Sequence, residues 1–401
     1  LAFSIPMVVG LAKNQSKGHR ASKPVGLVLA PTRELATQIA ATLQPLAETM
    51  GLRATTIFGG VSQNRQVKAI RDGVEIIVAT PGRLEDLMQQ GILKLDAIQI
   101  TVIDEADHMA DLGFLPGVTR ILNATPKTGQ RMMFSATLDN GVNKLVDRFL
   151  SNQVMHSVDE ANSPVTQMTH HVFEAASPEA KNELIKALAS GTGRRILFMR
   201  TKHHAKKLAK TLTNAGIPAV DLHGALSQNA RDRNLASFSA GNVRVLVATD
   251  VAARGVHVDD VNLVIHVDPP AEHKAYLHRS GRTARAGAAG DVVTLCLPTQ
   301  RKDLADLLRK AKISVTPTRV TASSPEVVAL IGEVADYVKP VPVAKPQQGG
   351  GKSNGRNAQR KRNAREGGSG PSASGRNNRS RPSSTVSRPA AAAGRSGQRS
   401  R

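Results

Sequence analysis

The chain has one cysteine in 401 residues, Cys296. That excludes a disulfide framework and fits a reducing cytosol. The longest apolar run near the start, Leu1 to Ala12, falls short of the roughly 20 residues a membrane-spanning helix needs. No basic segment precedes it, so it does not read as a secretory leader. Collagen and coiled-coil compositions are absent. From Val341 onward there is no Leu, Ile, Phe, Tyr or Trp. Such a segment cannot bury enough apolar surface to offset its ordering entropy, so residues 341–401 are expected to be a disordered tail.

What the chain has in excess is positive charge: 54 Lys and Arg against 32 Asp and Glu, a net of +22. The tail holds 14 of the bases and a single acid, Glu366, for a net of +13. Attraction to nucleic acid is the expected use of such a tail. With no aromatic rings it should hold phosphates rather than stack bases. A solubilising tail with no partner is the plainer reading.

Residues 1 to about 150 alternate short apolar runs with helical spacing. The runs are Val25–Ala30, Glu75–Ala79, Ile98–Ile103 and Arg131–Ser135. Short, unalternating runs read as strands buried on both faces. Glu34 to Met50 has helical spacing, with Gly51 placed to end it. Strand–helix–strand repetition predicts a parallel sheet covered by helices. Ser151 to Thr169 breaks the rhythm and reads as a linker. Ser177-Pro178 then opens a helix with a cap and an N1 proline. The further strand candidates are Ile196–Met199, Ala219–Leu222, Val243–Ala248, Leu263–Val267 and Val292–Leu297, with a last helix at Pro325–Val338. The fold class is α/β. The expected boundaries are a first domain at 1–153, a linker at 154–168, a second domain at 169–315, an extension at 316–340 and the tail.

Two stretches carry chemistry. Asp104-Glu105-Ala106-Asp107 follows the strand Ile98–Ile103, at the end where open α/β sheets bind ligands. An Asp there can hold Mg²⁺, and a Glu beside it can orient and deprotonate an attacking water. Alone, these acids read equally well as a solvated strand end. The second stretch is His278-Arg279-Ser280-Gly281-Arg282-Thr283-Ala284-Arg285-Ala286-Gly287. Its arginines recur every third residue, near one side of a helical turn, and clustered guanidiniums suit a transferring phosphoryl group.

Together these stretches resemble the DEAD-box ATP-dependent RNA helicase family, over roughly the first 300 residues. Further segments appear in that family's order: Pro31-Thr32-Arg33-Glu34-Leu35-Ala36, Gly59-Gly60, Thr80-Pro81-Gly82-Arg83, Ser135-Ala136-Thr137, and Ala248-Thr249-Asp250-Val251-Ala252-Ala253-Arg254-Gly255. The resemblance implies two tandem recA-like domains that bind ATP and Mg²⁺ and separate short RNA duplexes. It implies nucleotide contacts from Asp104, Glu105, Gly255, Arg282 and Arg285, with Glu105, Arg282 and Arg285 catalytic and Asp104 on the metal. It implies RNA contacts from Pro31, Thr32, Arg33, Gly59, Gly60, Thr80, Pro81, Gly82, Arg83, Gln228, Arg231 and Thr249. Asp107, Ser135, Thr137 and His278 would couple the two. Exposed N–H groups at helix starts such as Thr32 and Thr80 bind phosphates readily, which agrees with those assignments.

Two departures stand out. No Gly-x-x-x-x-Gly-Lys-Ser/Thr precedes a helix anywhere. Gly349-Gly350-Gly351-Lys352-Ser353 is a decoy in the tail, with Pro346 where the first glycine belongs. In this family Leu1 to Pro6 looks like the helix after that loop. The expectation is a chain cut just past its phosphate-binding loop, and inactive as an ATPase in this form. His257 stands where the family has an acid. An ATP-independent RNA-binding or annealing protein and a DNA-directed ATPase of the same superfamily are the alternatives. No membrane partner is expected. The family association is cytoplasmic, with ribosome assembly or RNA decay as possible settings.

Overall fold

The short apolar runs become strands of two parallel sheets; those at Arg131–Ser135 and Ala219–Leu222 lie at sheet edges and are little buried, unlike the expected buried strands. The computed structural model describes residues 1–13, 23–138, 140–157, 168–253, 258, 260–284 and 289–340. In the front lobe, β1 (Gly26–Leu29), β2 (Ala54–Ile57), β3 (Ile76–Ala79), β4 (Ile100–Ile103) and β5 (Gln130–Met133) run in the order β2-β3-β1-β4-β5. Every pairing is parallel. All residues of β1, β3 and β4 are buried. One face packs Val28, Val78 and Val102 under α1 (Ser4–Lys13) and α2 (Arg33–Thr49). The other packs Leu27, Leu29, Ile77 and Ile103 under α4 (Pro81–Gln89), α5 (Ala106–Asp111), α6 (Leu115–Asn123) and α7 (Asn140–Phe149), with α3 (Gln63–Arg71) beside them. α2 ends where its spacing predicts, with Gly51 at φ +70° just past it.

The rear lobe repeats the plan. Its strands are β6 (Met168–Glu174), β7 (Arg194–Phe198), β8 (Ala219–Leu222), β9 (Val245–Ala248), β10 (Val261–His266), β11 (Gly290–Cys296) and β12 (Thr318–Arg319), in the order β12-β6-β11-β10-β7-β9-β8. All pair in parallel. Its helices are α8 (Pro178–Ala189), α9 (Lys202–Asn214), α10 (Gln228–Ser239), α11 (Asp250–Ala253), α12 (His273–Ser280), α13 (Arg301–Lys310) and α14 (Pro325–Ile331). Ser177 caps α8 by accepting from the Ala180 N–H. Both sheets belong to one compact unit. No helix among the described residues is long and apolar enough to cross a membrane.

Several elements differ from their sequence reading. β2 is an edge strand of sequence ATTI in which only Ile57 is buried, so it lacks an apolar run. β6 begins at Met168, inside the stretch read as linker, because its start is polar and only its end is buried. The helix expected to reach Val338 stops at Ile331. Gly332 takes φ +64°, and Val334 bridges antiparallel to Gly191. Residues 158–167 of the expected linker and the whole tail lie outside the described residues.

Under the rear sheet sits a polar cluster. His170 Nδ1 lies 3.1 Å from the Tyr276 hydroxyl, and Thr294 Oγ1 lies 3.3 Å from His266 Nδ1. Burial and the charge of His171 push His170 down to about 4. Burial, with Arg279 and His170 nearby, pushes His266 well below its ordinary value. The unfolded chain therefore takes up protons before the folded one does. This stabilisation is complete above about pH 6.5 and is lost as pH falls toward about 4. Both tyrosines of the chain, Tyr276 and Tyr337, lie in this lobe, and there is no Trp. Tyrosine fluorescence in urea should show a lower midpoint at pH 5 than at pH 7, with a smaller drop for His170→Gln.

Candidate functional site at the lobe junction

The front sheet divides its candidate residues by strand. β1 is the switch point, paired to β3 on one side and β4 on the other. Open α/β sheets bind ligands beyond the carboxyl ends of strands at such a point. Pro31–Arg33 follow β1, Gly59–Gly60 follow β2 by way of Phe58, and Thr80–Arg83 follow β3. These expected RNA residues form one rim. The acids follow β4, and Ser135 and Thr137 follow β5.

On the rim, Thr32 caps α2 by accepting from the Leu35 N–H at 3.2 Å. Thr80 takes the cap position of α4 with Pro81 at N1, and Gly82 is exposed with nothing within 4 Å of an added Cβ. Gly60 lies at φ +77°, and an added Cβ would stand 2.0 Å from Arg33 Nη1. A side chain there would displace that guanidinium. Arg83 stands 3.5 Å from Asp86. Burial, then the charge of Arg231 and of Arg83, push Arg33 below its ordinary value, while Glu34 opposes them. Arg231 and Arg83 thus stand close enough to Arg33 for their charges to act on it.

Beyond β4, Glu105 has φ +48° and ψ +55°, a left-handed conformation unusual for a residue with a side chain. Its carboxylate meets His108 Nδ1 at 3.0 Å. Burial raises Glu105, but His108 and the charges of Arg282 and His278 win and hold it below its ordinary value. Asp104 has only the Glu105 N–H, which donates to its Oδ1 at 3.0 Å. Burial, with the charge of Glu105, pushes it up to about 6. Asp107 is 2% exposed. It accepts from Thr137 Oγ1 at 3.2 Å, and its N–H donates to Ser135 Oγ at 3.3 Å. From the rear lobe, His278 Nε2 stands 3.6 Å from Asp107 Oδ2, an ion-pair distance. Burial alone would raise Asp107; His278, the His108 N–H and Ser135 hold it at about 2.

Across the junction the second contact is Glu34, a residue inside a quoted motif that the sequence reading left without a role. Arg231 Nη2 lies 2.9 Å from Glu34 Oε2, an ion pair whose angle falls short of a hydrogen bond. Gln228 accepts from Arg33 at 3.0 Å and donates to Glu34 at 3.1 Å and to Asp232 at 2.8 Å. Gln228 and Arg231 were expected on RNA. Here both side chains engage the front lobe, and Gln228 is 7% exposed. Thr249 follows β9, its N–H bonded to the Leu222 carbonyl at 3.1 Å.

Arg279 and Arg282 do not share a helical face. α12 ends at Ser280, with Gly281 as its C-cap, so the three-residue spacing leaves the helix after Arg279. Arg279 is 3% exposed and makes a bidentate contact to Asp250, while its Nη1 donates to the Asp268 carbonyl at 2.8 Å. It fastens α12 to α11. Arg282 lies in the following turn, and its Nε donates to the His278 carbonyl at 3.2 Å. Arg285, Gly255 and His257 lie outside the described residues.

The donor set at Asp104 and Glu105 suits a hard cation, since both offer carboxylate oxygens. Among the described residues no three His, Cys, Asp or Glu side chains converge on a metal by themselves. An Asp with a raised folded-state value penalises the fold once ionised and ceases to do so when protonated. Asp104→Asn should therefore raise the melting temperature at pH 7.5 by about 2–4 °C, from roughly 1 kcal/mol. The advantage over the wild type should fade between about pH 6 and pH 4 as the wild-type carboxyl takes its proton. Calorimetry across that range measures it.

Known proteins share this plan. The DEAD/DEAH box helicase model matches residues 1–145, and the helicase conserved C-terminal domain model matches residues 179–287. DEAD-box ATP-dependent RNA helicase 5 of Arabidopsis thaliana is 39% identical over 323 residues, covering 78% of this chain and 60% of that protein. ATP-dependent RNA helicase p62 of Drosophila melanogaster is 34% identical over 327 residues, covering 79% of this chain and 45% of that protein. S. cerevisiae Dbp5 bound to RNA and ADP BeF3 superposes with a TM-score of 0.70 at 25% identity, covering 82% of this chain and 86% of that one. The chain spans about half the length of the curated relatives it matches. Two family models in tandem, over two parallel-sheet lobes, place the chain in the DEAD-box helicase family.

Proposed function

We propose that the two lobes form an RNA-dependent ATPase that locally separates RNA duplexes. The observation that carries this reading is the double contact across the junction, Asp107 with His278 and Glu34 with Arg231. One joins the acidic strand end to the arginine-bearing segment. The other joins the candidate RNA rim to α10.

In this reading ATP sits beyond β4. Glu105 orients the attacking water and takes its proton, and its lowered pKa keeps it ionised for that task. Asp104 holds Mg²⁺, which neutralises charge on the triphosphate oxygens when bound. Arg282 and Arg285 reach the γ-phosphate from the rear lobe, and Gly255 lets the backbone approach the nucleotide. RNA runs along Pro31–Arg33, Gly59–Gly60 and Thr80–Arg83, with Thr249 opposite. Gln228 and Arg231 act through Arg33 and Glu34, setting the rim while closing the lobes. Asp107, Ser135, Thr137 and His278 pass closure from one site to the other, because Asp107 touches all three. The names of the relatives, all RNA helicases, and the RNA-bound Dbp5 neighbour support RNA as the partner. A reducing, cytoplasmic setting agrees with the single free cysteine, Cys296, which is buried.

ATP hydrolysis is measured with and without single-stranded RNA and with matched DNA. RNA should raise the rate and matched DNA should not. Equal rates with and without RNA would overturn the proposal. Glu34→Gln keeps the shape but removes the charge that Arg231 meets. It should lower the RNA-stimulated rate about tenfold, from roughly 1.4 kcal/mol lost in closure, and leave the RNA-free rate unchanged. Arg231→Gln added to it should lower the rate little further, as a double-mutant cycle would show.

A further inference from the structure

Helix α9 carries four lysines, more than any other helix among the described residues. Its sequence, KHHAKKLAKTLTN, contains Lys202, Lys206, Lys207 and Lys210 with His203 and His204, and no acid. All six are exposed, while Ala205, Ala209 and Leu212 face the core. Some cations on other helices meet a carboxylate one turn away, as in Lys68–Asp72, Lys186–Glu183 and Arg309–Asp306. Among the described residues none of the four α9 lysines has such a partner. Its first turn is also cationic, where the helix dipole disfavours positive charge by about 0.3–1 kcal/mol per group. α8 and α14 instead carry Glu179 and Glu326 among their first three residues, with no cation there. A helix that holds unpaired cations against its own dipole is suited to an external anion.

Its placement says which anion. α9 packs on β8 and β9 and starts just past β7. Phe198 of β7, Ala248 of β9 and Leu222 of β8 are in register, so Lys202, Thr249 and Gly224 open on the same edge. Neighbouring strands lie about 4.8 Å apart, so this edge is only about 10 Å wide. Lys202, Lys206 and Lys210 are four residues apart and make a stripe about 12 Å long leading away from it. No Phe, Tyr or Trp stands among them, and the lysines suit phosphates. The chain's own residues 341–401 carry +13 and are excluded as occupants by like charge.

We propose that the exposed face of α9 is a second phosphate-binding surface, which takes the backbone of a single RNA strand continuing past the Thr249 rim. The proposal rests on the RNA reading of the junction. It adds affinity and salt dependence, without base preference.

The test uses the full chain and a quadruple variant, Lys202→Gln, Lys206→Gln, Lys207→Gln and Lys210→Gln, with a Lys→Arg set as the charge-retaining control. The probes are a 6-nucleotide RNA, the same RNA extended by 10 single-stranded nucleotides, and the same RNA extended as duplex, titrated across salt concentrations. The wild type should bind the single-strand extension about tenfold more tightly than the 6-mer. The Gln variant should lose most of that gain, and its log–log salt slope on the extended strand should fall by roughly 1.4–2.8, at about 0.7 per phosphate contact. Its 6-mer binding should be unchanged, and the Arg set should behave as wild type. Equal gains in wild type and Gln variant, an effect confined to the duplex extension, or a parallel loss on the 6-mer would each overturn the proposal. A wild type that fails to bind the 6-mer at all would instead overturn the RNA reading of the junction.

Discussion

Two buried carboxylates of the front lobe find their partners in the rear lobe, Asp107 in His278 and Glu34 in Arg231. Asp107 is 2% exposed and Glu34 is 5% exposed, yet neither has a lysine or arginine partner from its own sheet. An unpaired buried charge is costly enough that it either takes up a proton or finds a partner. Asp107 stays well below the usual carboxylate range because His278 reaches it. The mutual placement of two independently wound sheets therefore follows from charge satisfaction at two points. The points lie on opposite sides of β1, one beside the acids and one beside the candidate RNA rim. Loosening either removes a partner from the other lobe's site as well as from its own.

The acidic strand end is the least relaxed part of this arrangement. Glu105 sits in a left-handed conformation, and Asp104 next to it is pushed toward neutrality by burial and by Glu105's charge. Both features work against the fold, and both place carboxylate oxygens where a cation and phosphates would gather. The compensation comes from local geometry. The Asp104 N–H bonds to the Leu29 carbonyl and the Ala106 N–H to the Phe134 carbonyl, at 3.0 Å each, so the neighbouring strands hold the turn in place. Stability given up at Asp104 and Glu105 is thus carried by β1, β4 and β5.

Legibility in the sequence followed burial only in part, since β5 and β8 hold at most one buried residue each and were still marked as runs. β1, β3, β4, β7 and β9 are buried almost throughout, so their apolar runs stood out. β2 and β12 are edge strands with polar or exposed residues, and β6 starts with Met-Thr-His-His, so neither alternation nor apolar density marked them. Motif order identified the strand ends, because each candidate segment directly follows a strand or caps a helix. It could not show pairings between lobes. Glu34 and Arg231 are 197 positions apart, and no periodicity links them. The three-residue arginine spacing misled for a related reason: helical phase holds only while the helix lasts, and Gly281 ends it one residue before Arg282. The signal that could have separated Arg279 was its place in the helix's last turn, facing the end of β9 and Asp250.

The rear lobe's cations divide into two kinds, and the division has consequences for how salt acts. Arg279, Arg231 and Arg195 are buried or nearly so. Arg279 is fixed by Asp250, Arg231 by Glu34, and Arg195 by the carbonyls of Gly193 and Ile331 at 2.6 and 2.7 Å. Pairs removed from water are screened little by dissolved ions. The lysines of α9 are exposed and unpaired, and whatever they bind must displace their counterions. Closure of the lobes and retention of a polyanion therefore answer to different physical controls within one small domain. Raising salt weakens the second and leaves the first largely intact, so the lobes can remain joined while a polyanion on α9 is let go.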